Sequence, residues 1–155
     1  MAKTNAMRIL ESLSIPFETA AYPFGDEHKD AVTVAGELGV SADLVWKTLV
    51  AHDESNAPLV FVIPGPSELN LKKAARAAEA KKVELVSLRD LTPLTGYVRG
   101  GCSPVGMKKS FPTFVDEMVT AFDRIYVNAG ARGIQVIIAP ADLLRAANAK
   151  VADLV

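Results

Sequence analysis

A glycine-rich stretch from residue 96 to residue 109 constrains this fold more than any other part of the sequence. It reads Gly-Tyr-Val-Arg-Gly-Gly-Cys-Ser-Pro-Val-Gly-Met-Lys-Lys. Its glycines and its Ser103-Pro104 pair exclude a continuous helix or strand, because glycine favours turns and proline biases the preceding residue toward extended backbone. Such a loop can direct several N–H groups toward one point, and Lys108 and Lys109 follow at once. The stretch therefore predicts either a loop that binds a phosphate or a polarised carbonyl, or a plain connection with solvated lysines.

Helical and strand patterns alternate along the 155 residues without an internal repeat. Helical patterns cover residues 1–13, 32–38, 71–80, a short segment that Ser87 and Asp90 would cap, and a closing segment from 140 to 147. Strand patterns cover residues 17–22, 45–51, 59–63, 83–86, 113–115, 124–128 and 134–138. The strands cluster in the middle and toward the end, often with turn-length links. We therefore predict one α/β (α+β) domain over residues 1–155, with a mixed, largely antiparallel sheet flanked by helices.

Composition narrows the classes of partner and compartment. The net charge is −1 and no basic run exceeds two residues, so we expect no binding of duplex DNA, although the end of a nucleic acid stays possible as a ligand. Cys102 is the one cysteine, which excludes an intrachain disulfide and favours a reducing compartment. No apolar run reaches membrane-spanning length, and the N-terminal pattern is not that of a signal peptide. We predict a cytoplasmic protein that does not contact a membrane.

Lys47 lies within an apolar strand pattern, Val-Trp-Lys-Thr-Leu-Val. Alternation places its side chain on the same face as Val45 and Leu49, where burial or a cleft is expected. Because an unpaired buried ammonium is very costly, Lys47 must either reach solvent at the margin of the strand or meet an anion.

A third pattern, residues 125–136, predicts two strands joined by a glycine-containing turn. Asn128 and Gln135 are polar residues at the edges of these apolar runs. Their amides could recognise an aminoacyl group, since an amide both donates and accepts hydrogen bonds. Alternatively, they only cap their own turn, and the pattern by itself favours that interpretation.

Familiar catalytic motifs are missing from the chain. It contains neither a Gly-x-Ser-x-Gly nucleophile motif nor an HExxH zinc motif. His28 and His52 stand far apart in polar turns, so we interpret both as surface residues and predict no metal site. Cys102 has no evident base nearby in the sequence, and we do not expect it to be a nucleophile.

Taken together, the lysine strand, the glycine-rich loop and the segment Ile-Tyr-Val-Asn-Ala-Gly-Ala-Arg-Gly resemble the YbaK/EbsC family. Proteins of that family are free-standing aminoacyl-tRNA deacylases, similar to the editing domain of bacterial prolyl-tRNA synthetases. The resemblance covers nearly the whole chain, including Tyr22 and the Ala-Gly-Glu-Leu-Gly segment before the lysine.

The resemblance implies a barrel-like sheet with a pocket between the lysine strand and the glycine-rich loop. Lys47 would hold the terminal adenosine of a mischarged tRNA near its phosphate, and the backbone amide around Gly101 would position the ester carbonyl. In family members that act on cysteinyl-tRNA, the thiol of the substrate attacks its own ester, so no cofactor, metal or protein nucleophile is needed. By the same resemblance, the substrate would be bound by residues on four segments: Tyr22, Gly100, Ser103, Pro104, Gly106, Lys108, Asn128 and Gln135.

Two positions depart from the family pattern, which often has a small hydroxyl residue at Asn128 and sometimes an acid at Gln135. The leading expectation is a trans-acting deacylase for Cys-tRNA(Pro), with prolyl-tRNA synthetase as a possible companion that supplies tRNA selectivity. The alternatives are a deacylase for alanine or serine esters, a non-catalytic module that binds aminoacyl-tRNA or a synthetase, and a phosphate-ligand enzyme.

Overall fold

The computed structural model describes residues 3–155, which form a mixed α/β domain of five α-helices and two sheets. The helices are α1 Asn5–Ser12, α2 Ala31–Leu38, α3 Leu71–Ala77, α4 Leu88–Thr95 and α5 Pro140–Ala146. The strands are β1 Glu18–Ala21, β2 Trp46–His52, β3 Pro58–Pro64, β4 Glu84–Leu85, β5 Thr113–Asp116, β6 Ile125–Asn128, β7 Ile134–Ile138 and β8 Ala149–Ala152. Two short 3₁₀ helices, Ala42–Leu44 and Glu117–Ala121, complete the described elements.

The predicted barrel-like sheet is wrong, because the strands form two separate sheets. One sheet is antiparallel with the order β1-β7-β6, and the other has the order β4-β2-β3-β5-β8. In the larger sheet β2 runs antiparallel to β3 and β4, whereas β5 runs parallel to β3 and β8. Among the described residues, one bridge between Val45 and Tyr126 connects the two sheets. A barrel requires every strand to be paired on both sides, and β4 and β8 each end the larger sheet at an open edge.

Most predicted elements are present, and their ends follow local capping chemistry. The carboxylate of Asp30 accepts a hydrogen bond from the Thr33 N–H and starts α2, and Gly39 ends it in a left-handed conformation with φ of 71°. Asn70 caps α3 in the same way by accepting from the N–H groups of the next turn. The predicted extension of α3 to residue 80 is wrong, since the helix ends at Ala77.

Three further differences concern the chain ends and α4. The helix predicted over residues 1–13 begins at Asn5 in the structure. Residues 1 and 2 of the predicted span lie outside the described part of the chain. The hydroxyl of Ser87 donates to the Asp90 carboxylate at 2.9 Å instead of capping a backbone N–H. Strand β8 was not predicted from the sequence. It pairs along β5, and its Ala-Lys-Val-Ala sequence carries no alternating pattern from which to predict it.

Strand β2 contributes to two clusters of buried apolar side chains, through Trp46 to one and through Ala51 to the other. Trp46 belongs to a cluster built from α1, β6, β7 and α5, and its indole N–H donates to the Asp43 carbonyl at 3.0 Å. On the larger sheet, Phe61 is fully buried and stacks on Phe114 with ring centroids 5.6 Å apart. The fold therefore anchors the lysine strand from both sides. In the described part of the chain, no helix is long and apolar enough to cross a membrane.

Candidate active site

A cavity of about 400 Å³ lies between β2 and the glycine-rich loop. Its wall also includes residues that precede α2, β4 and the start of α4, and residues of β6 and β7. Five of the residues predicted from the sequence line this cavity, and they come from five separate segments: Tyr22, Lys47, Gly100, Asn128 and Gln135. The fold thus brings the three sequence patterns together around one space.

Lys47 is half-buried in this cavity, on the strand that the core holds in place. Within residues 3–155 its ammonium forms no ion pair with a carboxylate. Hydrogen bonds from Thr33 hold the pKa of Asp30 below its usual range, and the positive charges of His28 and Lys47 act in the same direction. Lys47 therefore interacts electrostatically with the Asp30 carboxylate but does not form an ion pair with it. The Lys47 ammonium is available to an anionic ligand.

Gln135 provides the clearest sign that the cavity is built for a ligand. The residue is only 4% exposed and lines the cavity, and its Oε1 has no hydrogen-bond partner among residues 3–155. A buried acceptor without a donor costs about 1–3 kcal/mol, and such groups are few in folded proteins. The Gln135 carbonyl can accept a hydrogen bond from a ligand N–H, and an ammonium would be the strongest donor for it.

Asn128 is directly opposite Gln135 in the β6–β7 pairing, but its side chain is already saturated. Its amide nitrogen donates to the carbonyls of Gly100 at 2.9 Å and Ala131 at 3.1 Å. Its Oδ1 accepts from the N–H groups of Gly130 at 2.7 Å and Ala131 at 3.1 Å. An asparagine amide offers two donors and two acceptor positions, so none remains for a substrate. The turn-capping interpretation is therefore correct for Asn128, which positions the glycine-rich loop.

Gly101 allows the glycine-rich loop to approach the β6–β7 turn closely. A Cβ atom at this position would lie 3.0 Å from the Arg132 nitrogen and 3.1 Å from the Ala131 carbonyl carbon. The Gly101 N–H donates to the Val98 carbonyl at 2.9 Å, so this amide is engaged within the loop. The N–H groups of Gly100 and Cys102 have no acceptor among the described residues, and both residues line the cavity. These two amides, on either side of Gly101, are free to donate to a carbonyl oxygen.

The remaining predicted residues of the loop shape it from beneath. Tyr97 is buried under the loop and donates from its hydroxyl to the Val105 carbonyl at 2.7 Å, while the Ser103 hydroxyl accepts from the Val105 N–H at 3.1 Å. A Cβ atom at Gly106 would lie 2.8 Å from that tyrosine oxygen, so only glycine fits there. Four predicted substrate-binding residues do not line the cavity: Ser103, Pro104, Gly106 and Lys108, of which the last donates to the Pro93 carbonyl.

Cys102 lines the cavity but is not poised to react. Burial raises the pKa of its thiol to about 12, with a smaller opposing contribution from a hydrogen bond with Thr95. A protonated thiol is a poor nucleophile, which supports the expectation from the sequence. Burial likewise raises the pKa of Tyr97 to about 12.

Sequence reasoning missed a group of residues at the mouth of the cavity. His28 and Arg99 line it, although the sequence suggested only a surface role for His28 and none for Arg99. Desolvation lowers the pKa of His28, the charges of Arg99 and Arg132 lower it further, and Asp30 opposes them. The position of Arg99 directly before Gly100, within the glycine-rich stretch, could have indicated that Arg99 lies at the site. Within residues 3–155, no group of three or more histidine, cysteine or acidic side chains could hold a metal ion.

The fold and the cavity together define a class of protein. Residues 26–146 match the aminoacyl-tRNA editing domain family, so the chain belongs to that family. A relative from Enterococcus faecalis, named as a candidate Cys-tRNA(Pro)/Cys-tRNA(Cys) deacylase, EbsC, is 44% identical over 152 residues, which cover 98% of this chain and 93% of the relative. A proline–tRNA ligase from Shouchella clausii is 30% identical over 111 residues, which cover 72% of this chain but 19% of the ligase.

Solved structures share the whole fold. A protein described as a candidate trans-editing enzyme for prolyl-tRNA synthetase superposes with a TM-score of 0.82 at 24% identity, covering 99% of this chain and 98% of its own. A protein described as hypothetical superposes with a TM-score of 0.87 at 24% identity, covering 97% of this chain and 99% of its own.

The hydrogen bonds of Asn128 and the lack of one at Gln135 predict opposite effects on stability. Asn128→Ala should lower the free energy of unfolding by about 1–3 kcal/mol, because it leaves the Gly100 carbonyl and the turn amides without partners. Gln135→Leu should leave that free energy unchanged or raise it, because it replaces an unpaired buried amide with an apolar group of similar size. Urea unfolding of the two variants measures both effects, and equal destabilisation would contradict the assignment.

The raised pKa of Cys102 predicts slow alkylation in the folded protein. At pH 8 the thiolate fraction should be on the order of a thousandfold smaller than for an unfolded cysteine, because a pKa of about 12 replaces one near 9.0. Iodoacetamide labelling followed by mass spectrometry should show little modification in buffer and rapid modification in urea. Comparable labelling rates in both conditions would disprove the assignment.

The folded state binds the Cys102 proton more tightly than the unfolded state does. The stability that this proton binding contributes should therefore be lost as the pH rises from 9 toward 12.

Proposed function

We propose that this chain is a trans-acting aminoacyl-tRNA deacylase that clears mischarged tRNA, with Cys-tRNA(Pro) as its leading substrate. The editing domain would extend over residues 1–155. The observation that carries the proposal is the cavity, in which the free ammonium of Lys47 and the unpartnered Oε1 of Gln135 line one space with two free loop amides. The family and the similarity to EbsC agree with it.

Each group of the cavity matches one part of an aminoacyl ester at the 3′ end of a tRNA. Lys47 would bind the phosphate of the terminal adenosine, and Gln135 would accept from the α-ammonium of the amino acid. The Gly100 and Cys102 N–H groups would face the ester carbonyl and stabilise the negative charge that develops on its oxygen. Tyr22, which is buried in the wall, would limit the space for the substrate.

For a cysteinyl ester, the substrate itself can supply the nucleophile. Its sulfur forms a bond to the carbonyl carbon, and the ester bond to the ribose oxygen breaks. The thiol proton passes to that ribose oxygen, leaving a cyclic thiolactone and a free tRNA end. The protein would accelerate this step by holding sulfur and carbonyl in reach of each other and by stabilising the oxyanion. Neither Cys102 nor any other side chain of the enzyme needs to become acylated.

Selectivity for one tRNA would come from outside this domain. The net charge is −1, and the cations that line the cavity could contact only the acceptor end. A companion such as prolyl-tRNA synthetase would then bring the correct tRNA. We expect the isolated protein to deacylate Cys-tRNA(Pro) and Cys-tRNA(Cys) at similar rates.

The direct test is to incubate the purified protein with tRNA(Pro) charged with cysteine, alanine or serine, and with Cys-tRNA(Cys). We expect the cysteinyl esters to be cleaved fastest, because alanine carries no internal nucleophile. Faster release of alanine or serine would mean that the protein is still an aminoacyl-tRNA deacylase but prefers an alanyl or seryl ester. Release at the rate of buffer alone from all four, despite tight binding of charged tRNA, would leave a non-catalytic binding module as the function.

Variants of Lys47 test the role of its ammonium. Lys47→Ala should lower kcat/KM by about ten- to a hundredfold, since one charge-assisted contact to phosphate is typically worth 1.5–3 kcal/mol. Lys47→Arg should restore the rate only partly, because a planar guanidinium places its donors differently. Cys102→Ala should retain nearly full activity, and circular dichroism should confirm that all three variants fold. An inactive Cys102→Ala beside a fully active Lys47→Ala would overturn the mechanism.

A further inference from the structure

An exposed aromatic side chain lies beside the mouth of the cavity. Phe24 is 62% exposed, although phenylalanine is among the residues most often buried in folded proteins. The ring packs over Gly133, where any Cβ atom would collide with it. Part of the Phe24 ring is thus held against the backbone of the β6–β7 turn, while much of the residue stays in solvent. A fixed, exposed ring is a surface on which a planar group can stack.

Two arginines lie next to this ring. Arg99, Arg132 and Phe24 line one small hollow of about 20 Å³, together with Glu27 and His28. The Arg132 Nε donates to the Arg99 carbonyl at 3.0 Å, which holds its guanidinium against the glycine-rich loop. Within residues 3–155 neither guanidinium forms an ion pair with a carboxylate. Glu27 is the one acidic residue among the described residues that line the hollow. Its single negative charge does not balance the two guanidinium groups, so the hollow carries a net positive charge.

The hollow adjoins the candidate active site. Tyr22, His28, Arg99 and Gly100 line both spaces. A Cβ atom at Gly100 would lie 3.8 Å from the Arg132 Nε and 3.8 Å from the His28 Nδ1, so the cationic group and the free loop amide are immediate neighbours. Phe24 and the two arginines therefore flank this side of the cavity mouth.

From this arrangement we infer that Phe24, Arg99 and Arg132 form a binding surface for the single-stranded nucleotides that precede the terminal adenosine of the substrate RNA. Phe24 stacks on one base, and the two guanidinium groups bind the adjacent phosphates. Aromatic rings flanked by cations are the usual means by which proteins hold single-stranded nucleic acid without reading its sequence. The inference rests on the proposed function and extends it, because it adds a second contact region outside the ester-binding cavity.

The experiment measures the binding of an uncharged RNA hairpin with a 3′ ACCA tail by fluorescence anisotropy between 50 and 200 mM salt. Arg99→Gln and Arg132→Gln should each weaken binding about five- to twentyfold and each reduce the slope of log K against log salt by about 0.7, the value for one phosphate contact on a single strand. Arg132→Lys keeps the charge but loses the Nε contact, and should retain most of the wild-type slope. Arg76→Gln on α3, an exposed arginine that does not line the cavity, is the matched control and should bind as wild type does.

Phe24 variants test the stacking contact separately. Phe24→Ala should weaken binding about five- to fiftyfold with an unchanged salt slope, and Phe24→Tyr should bind nearly as wild type does. Wild-type binding of a blunt RNA hairpin should be much weaker than that of the tailed hairpin.

The outcomes separate this inference from the proposed function. If the arginine variants bind the tailed RNA with the affinity and salt slope of Arg76→Gln, or if the blunt hairpin binds equally well, the surface is not a single-strand site, whatever the deacylation assay shows. If the wild-type protein binds as described but releases no amino acid, the surface stands and the deacylase proposal fails. Circular dichroism of each variant excludes loss of binding through unfolding.

Discussion

The candidate site depends above all on the contact between the glycine-rich loop and the β6–β7 turn. Asn128 makes four hydrogen bonds there, one of which holds the Gly100 carbonyl. Gly101 lets the two backbones meet, with no room for a side chain between them. This contact fixes where the free amides of Gly100 and Cys102 lie relative to Lys47 on β2. Without it, the loop would have to pay conformational entropy each time it ordered around a ligand.

The mechanism proposed for the cavity relies on binding and positioning. The thiol of Cys102 is held protonated by burial, and the hydroxyl of Tyr97 is hydrogen-bonded beneath the loop with its own pKa raised to about 12. The groups that the proposed mechanism uses are the Lys47 ammonium, two loop N–H donors and the Gln135 carbonyl acceptor. Such a set suits a reaction in which the substrate carries its own nucleophile, because the enzyme then contributes orientation and electrostatic stabilisation.

The distribution of charge explains how a nearly neutral protein could hold RNA. The net charge of −1 gives no long-range attraction, and the sequence therefore argues against a duplex-binding protein. The fold nevertheless gathers Lys47, Arg99 and Arg132, which are distant in sequence, around the cavity and its adjoining hollow. Local positive charge next to an exposed aromatic ring favours a short, flexible strand over a rigid helix.

The sequence by itself determined the element types, the family and the three segments that meet at the cavity, because helix caps, strand alternation and glycine clusters are local signals. It did not determine β8 or the separation of the strands into two sheets, since both follow from pairing between distant segments. The site shows the same division. Lys47 and Gln135 could be chosen from their positions in apolar runs, but only the tertiary structure decided that the Asn128 amide is saturated and the Gln135 carbonyl is not. A hydrogen-bond partner that lies 28 residues away in the chain, as Gly100 does for Asn128, leaves no trace in local pattern. The same reason hid the arginines beside Phe24.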